Sequence, residues 1–516
     1  MLVERGAPLQ EKVASFITDK LGAEVVLTIP EGFRLEARLT IPQLLELLAR
    51  PEVLYIDFAS EPGTDMNIAR LAGGLQYLSS VAGYAGQGVR AEVMDSGLHV
   101  SHNDFKGLNI IIHGTNGVST SHGSSVFGIV FGRGVNEPNA LGGLPLAEAS
   151  VFAAYEQLTS SYSRYTHTAQ LVDASGPYRT VFQTNSWGNA QTTEYTTLSA
   201  EFDDILFIND ILILQSQSNT GSQRSRPEAW AKNVFSIGGF YHYDTLTRSD
   251  DIWGGGASVG PSEDGRQKPD VSNYYDMILT TNASDFGYTQ FSGTSGATPI
   301  TAGHVGIIFQ MWADGVFAGE PGQANDVFAS RPHASTLKAL AINTAQQFDF
   351  DETSTQNSRF QQGWGTINVG TLYDVAKIHD WRLPLLVDES EPIAPLEEVT
   401  YQVTATAGTY LRVTLVYRDP MPAVSASKQL INNLDLRVVS PSGTIYWGNF
   451  GLTDSPCSVP GGGPSTVDNV ENVIICATEA GAYMISVLGT EIVYDTYPDN
   501  GVLDAIYSLV ASKGKD

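Results

Sequence analysis

Three polar residues set far apart in the chain, Asp95, His122 and Ser295, have the types needed to activate an alcohol. A serine hydroxyl is a poor nucleophile at its own pKa, so attack requires an imidazole to take its proton and a third group to orient that imidazole. Ser295 lies in Gly293-Thr294-Ser295-Gly296-Ala297-Thr298-Pro299, which opens a helical run. A helix N-terminus offers unpaired N–H groups and a dipole that favour developing negative charge, so Ser295 N–H is placed to help hold an oxyanion. Asp95-Ser96-Gly97 follows the apolar strand end Ala91 to Met94, the kind of edge where an α/β sheet presents functional groups. His122-Gly123 precedes the apolar run SSVFGIVFG, and Asn219 follows ILILQSQS with an amide able to donate to an oxyanion. Taken singly, each has a plain structural role: a capping serine, two turn formers and a packed histidine.

The elements that must bring these residues together follow from pattern. Residues 67–380 alternate short apolar runs (ILILQSQ, VFSIGGF) with helical patterns (TLSAEFDDILFIND, PITAGHVGIIFQMWA), which predicts a doubly wound parallel α/β sheet covered by helices. Residues 1–66 predict a small α+β unit: a helix around Leu9 to Leu21, strands at Ala23 to Thr28 and Arg34 to Leu39, helical IPQLLELLARP and strand VLYIDFA. The stretch SEPGTDMN reads as an exposed connector and a candidate cleavage site. Residues 381–516 turn to strands (VTYQVTATA, LRVTLVYR, LDLRVVS, AYMISVLG, IYSLVAS) separated by turn residues, an all-β sandwich.

The chain order Asp95, His122, Ser295 is one of the few in which an Asp-His-Ser triad is built. With MDSG, SHGSSVFG and GTSGATP as blocks, and VFQTNSWG and SIGGF between the second and third, residues 67–380 resemble the subtilases. The resemblance implies a serine endopeptidase with Ser295 as nucleophile, His122 as general base and then acid, Asp95 as the group that orients the imidazole, and Asn219 in the oxyanion hole. It also implies that Ser186-Trp187-Gly188 pairs with an extended substrate and that Ser216-Gln217-Ser218 lines the specificity pocket. In that segment the family keeps small residues, so the side chains here favour a small or medium P1 residue. Ser124, Ser125 and Gly296 depart from the family blocks at positions that perform no chemistry.

The N-terminal unit resembles a subtilase propeptide, which implies a zymogen whose own segment templates folding and blocks the cleft, cut near Met66-Asn67. The alternative is a permanent N-terminal domain. The C-terminal unit, through LVYRDPMP, LINNLDLRVVSPSGTIYWGN and NVENVIICATEAGAYMISV, resembles the β-sandwich, or jelly-roll, behind the catalytic domain of alkaline bacterial subtilases. Such modules often bind calcium, and Asp435, Asp468 and Glu471 carry suitable hard oxygens. No cofactor is expected for catalysis. A competing reading keeps the protease fold as a silent scaffold whose sandwich binds protein or carbohydrate.

Composition narrows the partners. Acidic residues outnumber basic ones 56 to 29, a formal charge of −27 that repels phosphate backbones and anionic lipid, so polypeptides are expected and nucleic acid is not. No apolar run reaches the roughly 18 residues of a membrane span, and the first residues lack a secretion signal. The family's habit is secretion, which requires that a leader was trimmed; otherwise the chain is expected in the cytoplasm. Cys457 and Cys476 fit a disulfide or two buried thiols equally.

Overall fold

The computed structural model describes residues 2–4, 6–29, 32–33, 35–54, 56, 65–317, 326–350, 357–377, 383–497 and 500–514. Its contacts divide into two compact units, Met1–Gly63 and Thr64–Asp516.

In the first unit, helix α1 (Ala7–Ser15) runs into one π turn, Phe16–Lys20, and strands β1 (Glu24–Thr28) and β2 (Leu35–Arg38) pair antiparallel. Helix α2 (Ile41–Leu48) starts on a capping box in which Thr40 and Gln43 satisfy each other's backbone. Val13, Ile17 and Leu47 form its core with Leu2. Of the strand expected at VLYIDFA, Val53 makes a single bridge to Leu2, while Tyr55 and residues 57–59 lie outside the described residues. So does the connector as far as residue 64.

The second unit opens with α3 (Asp65–Ala72) and α4 (Leu75–Val81). Met66 is 1% exposed, packed with Ile129, Ile278 and Ile300. The expected parallel sheet follows, built from β3 (Arg90–Asp95), β4 (Ile110–Ile112), β5 (Ala149–Ala154), β6 (Phe182–Asn185), β7 (Leu212–Ser216), β8 (Phe235–Phe240) and β9 (Val271–Tyr274). Its spatial order is β4-β5-β3-β6-β7-β8-β9. The order reverses at β3, so the C-terminal end of β3 is the switch point at which such sheets leave a crevice. Every residue of β5 to β9 is buried, as strands covered on both faces must be.

Helices α5 (Thr120–Phe131), α6 (Arg164–Val172), α7 (Thr197–Asn209), α8 (Thr294–Ala313) and α9 (Ala334–Asn343) supply the covering layers. Side chains alternate along a strand, so Val93 joins the core that holds Val126 and Val130 of α5, while Glu92 faces His167 of α6. A hairpin of β10 (Ile278–Thr281) and β11 (Tyr288–Phe291) precedes α8. Among the described residues no helix is long and apolar enough to cross a membrane.

The C-terminal part has two four-stranded antiparallel sheets. One runs β12 (Leu385–Asp388), β19 (Ser508–Gly514), β14 (Tyr410–Val416), β17 (Val470–Ile475); the other runs β13 (Glu398–Ala405), β18 (Gly481–Glu491), β15 (Asn433–Val439), β16 (Ile445–Trp447). Leu411, Val413 and Leu509 from the first and Leu434, Ile485 and Val487 from the second share one apolar cluster. Asn343 Nδ2 at the end of α9 donates to Thr414 Oγ1 at 3.0 Å and to Val510 O at 3.2 Å, tying this part to the parallel-sheet layers. Cys457 and Cys476 are joined in a disulfide with Cα atoms 5.8 Å apart.

Candidate active site

Asp95 ends β3 and is 1% exposed, and its Oδ1 accepts from His122 Nδ1 at 2.8 Å and from Ser96 N at 2.7 Å. His122 stands in the first turn of α5 with its side chain 40% exposed and its ring edge-on to Phe291, 5.2 Å between centroids. Burial works against an imidazolium here, but the hydrogen bond and charge of Asp95 outweigh it and raise the His122 pKa above its usual 6.5. With Nδ1–H committed to a carboxylate, the neutral ring presents Nε2 as its base.

Ser295 begins α8, behind Gly293 at φ 89°, a left-handed conformation in which a side chain would also press on the Asn219 amide at 3.2 Å. Register places the β6 edge beside Asp95: Met94 pairs with Asn185, so Ser186 follows next to Asp95. Ser295 Oγ donates to Ser186 O at 3.1 Å, and Ser186 Oγ donates back to Ser295 O at 3.0 Å. The second bond has a cause in the sequence. Pro299, four residues on and inside α8, has no N–H for the Ser295 carbonyl, which is left free to accept from outside the helix. Ser295 Oγ forms no hydrogen bond to His122 among the described residues; its one partner there is Ser186. Phe291 bridges the gap, touching the His122 ring and lying 3.5 Å from where a side chain on Gly296 would stand.

Asn219 is held by its oxygen: Oδ1 accepts from Thr294 N at 2.9 Å and from Thr294 Oγ1 at 3.1 Å. Thr294 Oγ1 also accepts from Ser218 N at 3.2 Å, where Ser218 sits at φ 101°. With Oδ1 engaged, Nδ2 has no partner among the described residues and is turned to donate. Thr294 was readable only as a small neighbour of the serine; its clamping of Asn219 is a tertiary fact.

The substrate-pairing candidates lie along the same edge. Ser186, Ser216 and Ser218 are buried, and Gln191 Nε2 donates to Ser218 Oγ at 3.2 Å. Trp187 stacks on Tyr155 with centroids 4.5 Å apart, and its carbonyl accepts from Gln215 Nε2 at 2.5 Å. Gly188 N–H and C=O have no partner among the described residues, and a side chain there would strike Glu228 Oε2 at 2.8 Å. The edge at Gly188 is therefore open to another strand.

One cluster escaped the sequence reading. Glu92, wholly buried in β3, accepts from His113 Nδ1 at 2.9 Å and from His167 Nε2 and Gln183 Nε2 at 2.7 Å each. Burial opposes its charge, yet the two imidazoles hold its pKa down at about 2. The His113 and His167 rings stack at 3.8 Å and 19° from parallel, each bonding its own carboxylate oxygen, and one potential ligand atom from each of the three residues lies within 4.8 Å of the others, a spacing compatible with a metal ion. A glutamate inside the apolar run VRAEVMD was the signal for it.

The family model described as "Subtilase family" matches residues 86–365. Among curated proteins the chain is similar to the serine protease/ABC transporter B family proteins tagB and tagA of Dictyostelium discoideum. It is 29% identical to tagB over 296 residues, 46% of this chain and 15% of that protein. For tagA the figures are 25% over 269 residues, 46% and 14%. The chain thus spans about a seventh of the length of these relatives. Among solved structures it is similar to the prenylagaramide maturation protease PagA, at 18% identity and TM-score 0.45, covering 58% of this chain and 98% of that one. The patellamide maturation protease PatA follows at 17% and 0.43, covering 56% and 98%. With the family model matched over more than half of its 516 residues, the chain belongs to the subtilase family.

Proposed function

We propose that the chain is a serine endopeptidase that hydrolyses polypeptides through an acyl-enzyme. One observation carries this reading: the buried Asp95 carboxylate grips His122 Nδ1 at 2.8 Å while Ser295 is anchored on the adjoining strand end. The reaction requires Ser295 Oγ to leave the Ser186 carbonyl for His122 Nε2, a contact of the kind that often forms only when substrate is bound. His122 accepts the proton as Oγ attacks the scissile carbonyl, and Asp95 stabilises the imidazolium. Asn219 Nδ2 and Ser295 N–H hold the tetrahedral oxygen. His122 then protonates the leaving amine, and water repeats the sequence on the ester. The substrate lies extended along Ser186 to Gly188, and the side chains of Ser216, Gln217 and Ser218 favour a small or medium P1 residue.

In the same reading the chain has three parts, a prosegment in 1–66, a catalytic domain in 67–380 and a C-terminal jelly-roll sandwich in 381–516, and it works outside the cell. The prosegment is cut near Met66-Asn67, close to where α3 begins at Asp65. Calcium is a structural, not catalytic, partner of the sandwich. Glu471 Oε1 and Asn433 Oδ1 are buried without hydrogen-bond partners, and an all-oxygen donor set suits a hard cation. With Asp435, which accepts from Asn433 Nδ2 at 3.0 Å, they are the residues that would hold it. Asp468 is otherwise engaged, by Gln267 N, Ser465 Oγ and Asn449 Nδ2.

The test compares the parent with Ser295→Ala for casein cleavage and for labelling by a serine-directed phosphonate. The parent is expected to do both and the variant neither, with its melting transition retained. A parent inert to both after removal of the prosegment would establish the scaffold reading instead.

A further inference from the structure

Beside the open edge at Gly188 lies a cavity of about 380 Å³, walled by Tyr155, Trp187, Arg164, Glu201 and Glu228 among others. Arg164 keeps 7% of its surface, and among the described residues its guanidinium forms no hydrogen bond and no ion pair. Ring faces stack on it, 4.8 Å from the Trp187 centroid and 4.6 Å from that of Phe202, and the charges of Glu228, Glu201 and Glu92 favour its cation without giving any N–H an acceptor. A buried cation with five donors and no acceptor is costly unless a ligand supplies one. Two of the lining residues are acidic. Glu228 is satisfied, accepting from Asn189 N at 3.0 Å and from Asn189 Nδ2 at 2.6 Å, whereas Glu201 on α7 feels the Arg164 charge but its carboxylate accepts no hydrogen bond among the described residues.

From these walls we infer that the cavity is a specificity subsite for a primary carboxamide, the side chain of a glutamine or asparagine in the substrate. The inference rests on the endopeptidase reading and goes beyond it by naming a side-chain class. A carboxamide matches both charges at once: its oxygen accepts from Arg164, and its NH2 donates to Glu201. A carboxylate satisfies the first and is repelled by the second, where two glutamates already stand; an ammonium meets the reverse. The subsite lies near but not at the cut. Ser186 O receives the nucleophile at 3.1 Å, and Gly188 is two residues farther along the edge, so a strand paired there reaches the cavity with a residue roughly two to four positions from the scissile bond.

The test uses the full chain with any prosegment removed. Cleavage of a peptide library randomised over four positions on each side of the cut is expected to show glutamine or asparagine at one position, enriched about tenfold over alanine. In Arg164→Met that ratio is expected to fall to about one, with Glu201→Gln reducing it less. In a second, turnover-free arm, calorimetry on Ser295→Ala is expected to find a glutamine peptide bound about tenfold more tightly than its alanine counterpart. A profile led by glutamate or by aliphatic residues overturns the inference. So does a carboxamide preference that survives Arg164→Met, or equal binding of the two peptides. Phosphonate labelling of Ser295 tells the two failures apart: a labelled enzyme without the preference sinks only the subsite, and an unlabelled one sinks the endopeptidase reading.

Discussion

Asn219→Ala is the substitution whose cost the geometry bounds most tightly. In the proposed mechanism the amide enters the reaction with its plane already fixed, because Oδ1 takes two hydrogen bonds from Thr294, at 2.9 and 3.1 Å, and Nδ2 has no competing partner among the described residues. Such a donor meets little in the ground state and an anion in the transition state. Its loss therefore falls on kcat and not on KM, by about 3 to 4 kcal/mol, or roughly 10² to 10³ in rate. Thr294→Val grades the effect. It keeps the backbone N–H on Oδ1 and removes the hydroxyl, one neutral hydrogen bond worth about 1 kcal/mol, so kcat is expected to fall about threefold to tenfold. If the hydroxyl acts only through Asn219, the double variant is no slower than Asn219→Ala alone. The assay is steady-state cleavage of a chromogenic peptide, normalised to active sites titrated with the phosphonate. The reasoning fails if Asn219→Ala costs less than about tenfold, if the loss sits in KM, or if Thr294→Val costs as much without Asn219 as with it.

Three further outcomes follow from the charges. The proposed mechanism needs the His122 imidazole neutral, and Asp95 raises its pKa above 6.5 against the opposing effect of burial, so the acid limb of kcat/KM is expected above 6.5. Asp95→Asn is expected to move that limb downward and to cut kcat by about 10⁴, as read from pH profiles. At His333 burial also disfavours the charge, but the Asp210 hydrogen bond and the charges of Glu389, Asp210 and Asp388 raise the pKa to about 9. A pKa raised on folding contributes stability that is complete below the unfolded value near 6.5 and lost as pH rises through 9. The melting temperature is expected to decline across that window and the decline to flatten in His333→Gln. Chelation by EGTA is expected to lower the melting temperature of the parent and to leave Glu471→Gln unmoved; a parent indifferent to EGTA removes calcium from the sandwich.

The elements most legible in the sequence were those whose pattern is local. ILILQSQ and VFSIGGF are β7 and β8, TLSAEFDDILFIND is α7, and each C-terminal run the sequence marked as a strand overlaps one in the structure. α8 begins at Thr294, ahead of PITAGHV, because Pro299 is tolerated inside the helix once Ser186 takes over the carbonyl it cannot serve. At the site, Asp95 and His122 are brought into contact, and Asn219 is brought to Thr294, beside Ser295. Thr294 as the clamp on Asn219 and Gly188 as an open edge were not legible, since neither role has a residue type of its own. The first depends on a partner 75 residues away, and the second on backbone groups that the rest of the fold leaves unpaired.

Strand β3 shows why a chain read one residue at a time misses such partners. Asp95 and Glu92 lie three apart, so the pleat sends them to opposite faces of the same strand, one toward α5 and the other toward α6. Both are carboxylates taken almost wholly out of water, and each depends on imidazole donors to remain there. Asp95 was legible because it closes the strand ahead of Ser-Gly, in a position where an acid needs an explanation. Glu92 lies mid-strand among Ala91, Val93 and Met94, where only the arrival of His113 from beyond β4 and His167 from α6 makes a charge tolerable. The two faces are not equivalent in solvent: His122 keeps 40% of its side chain exposed, whereas His113 and His167 keep 1% and none. A base that must exchange protons with substrate needs the first environment. A pair sealed like the second ties the segment after β4 and α6 onto β3, the strand whose end carries Asp95.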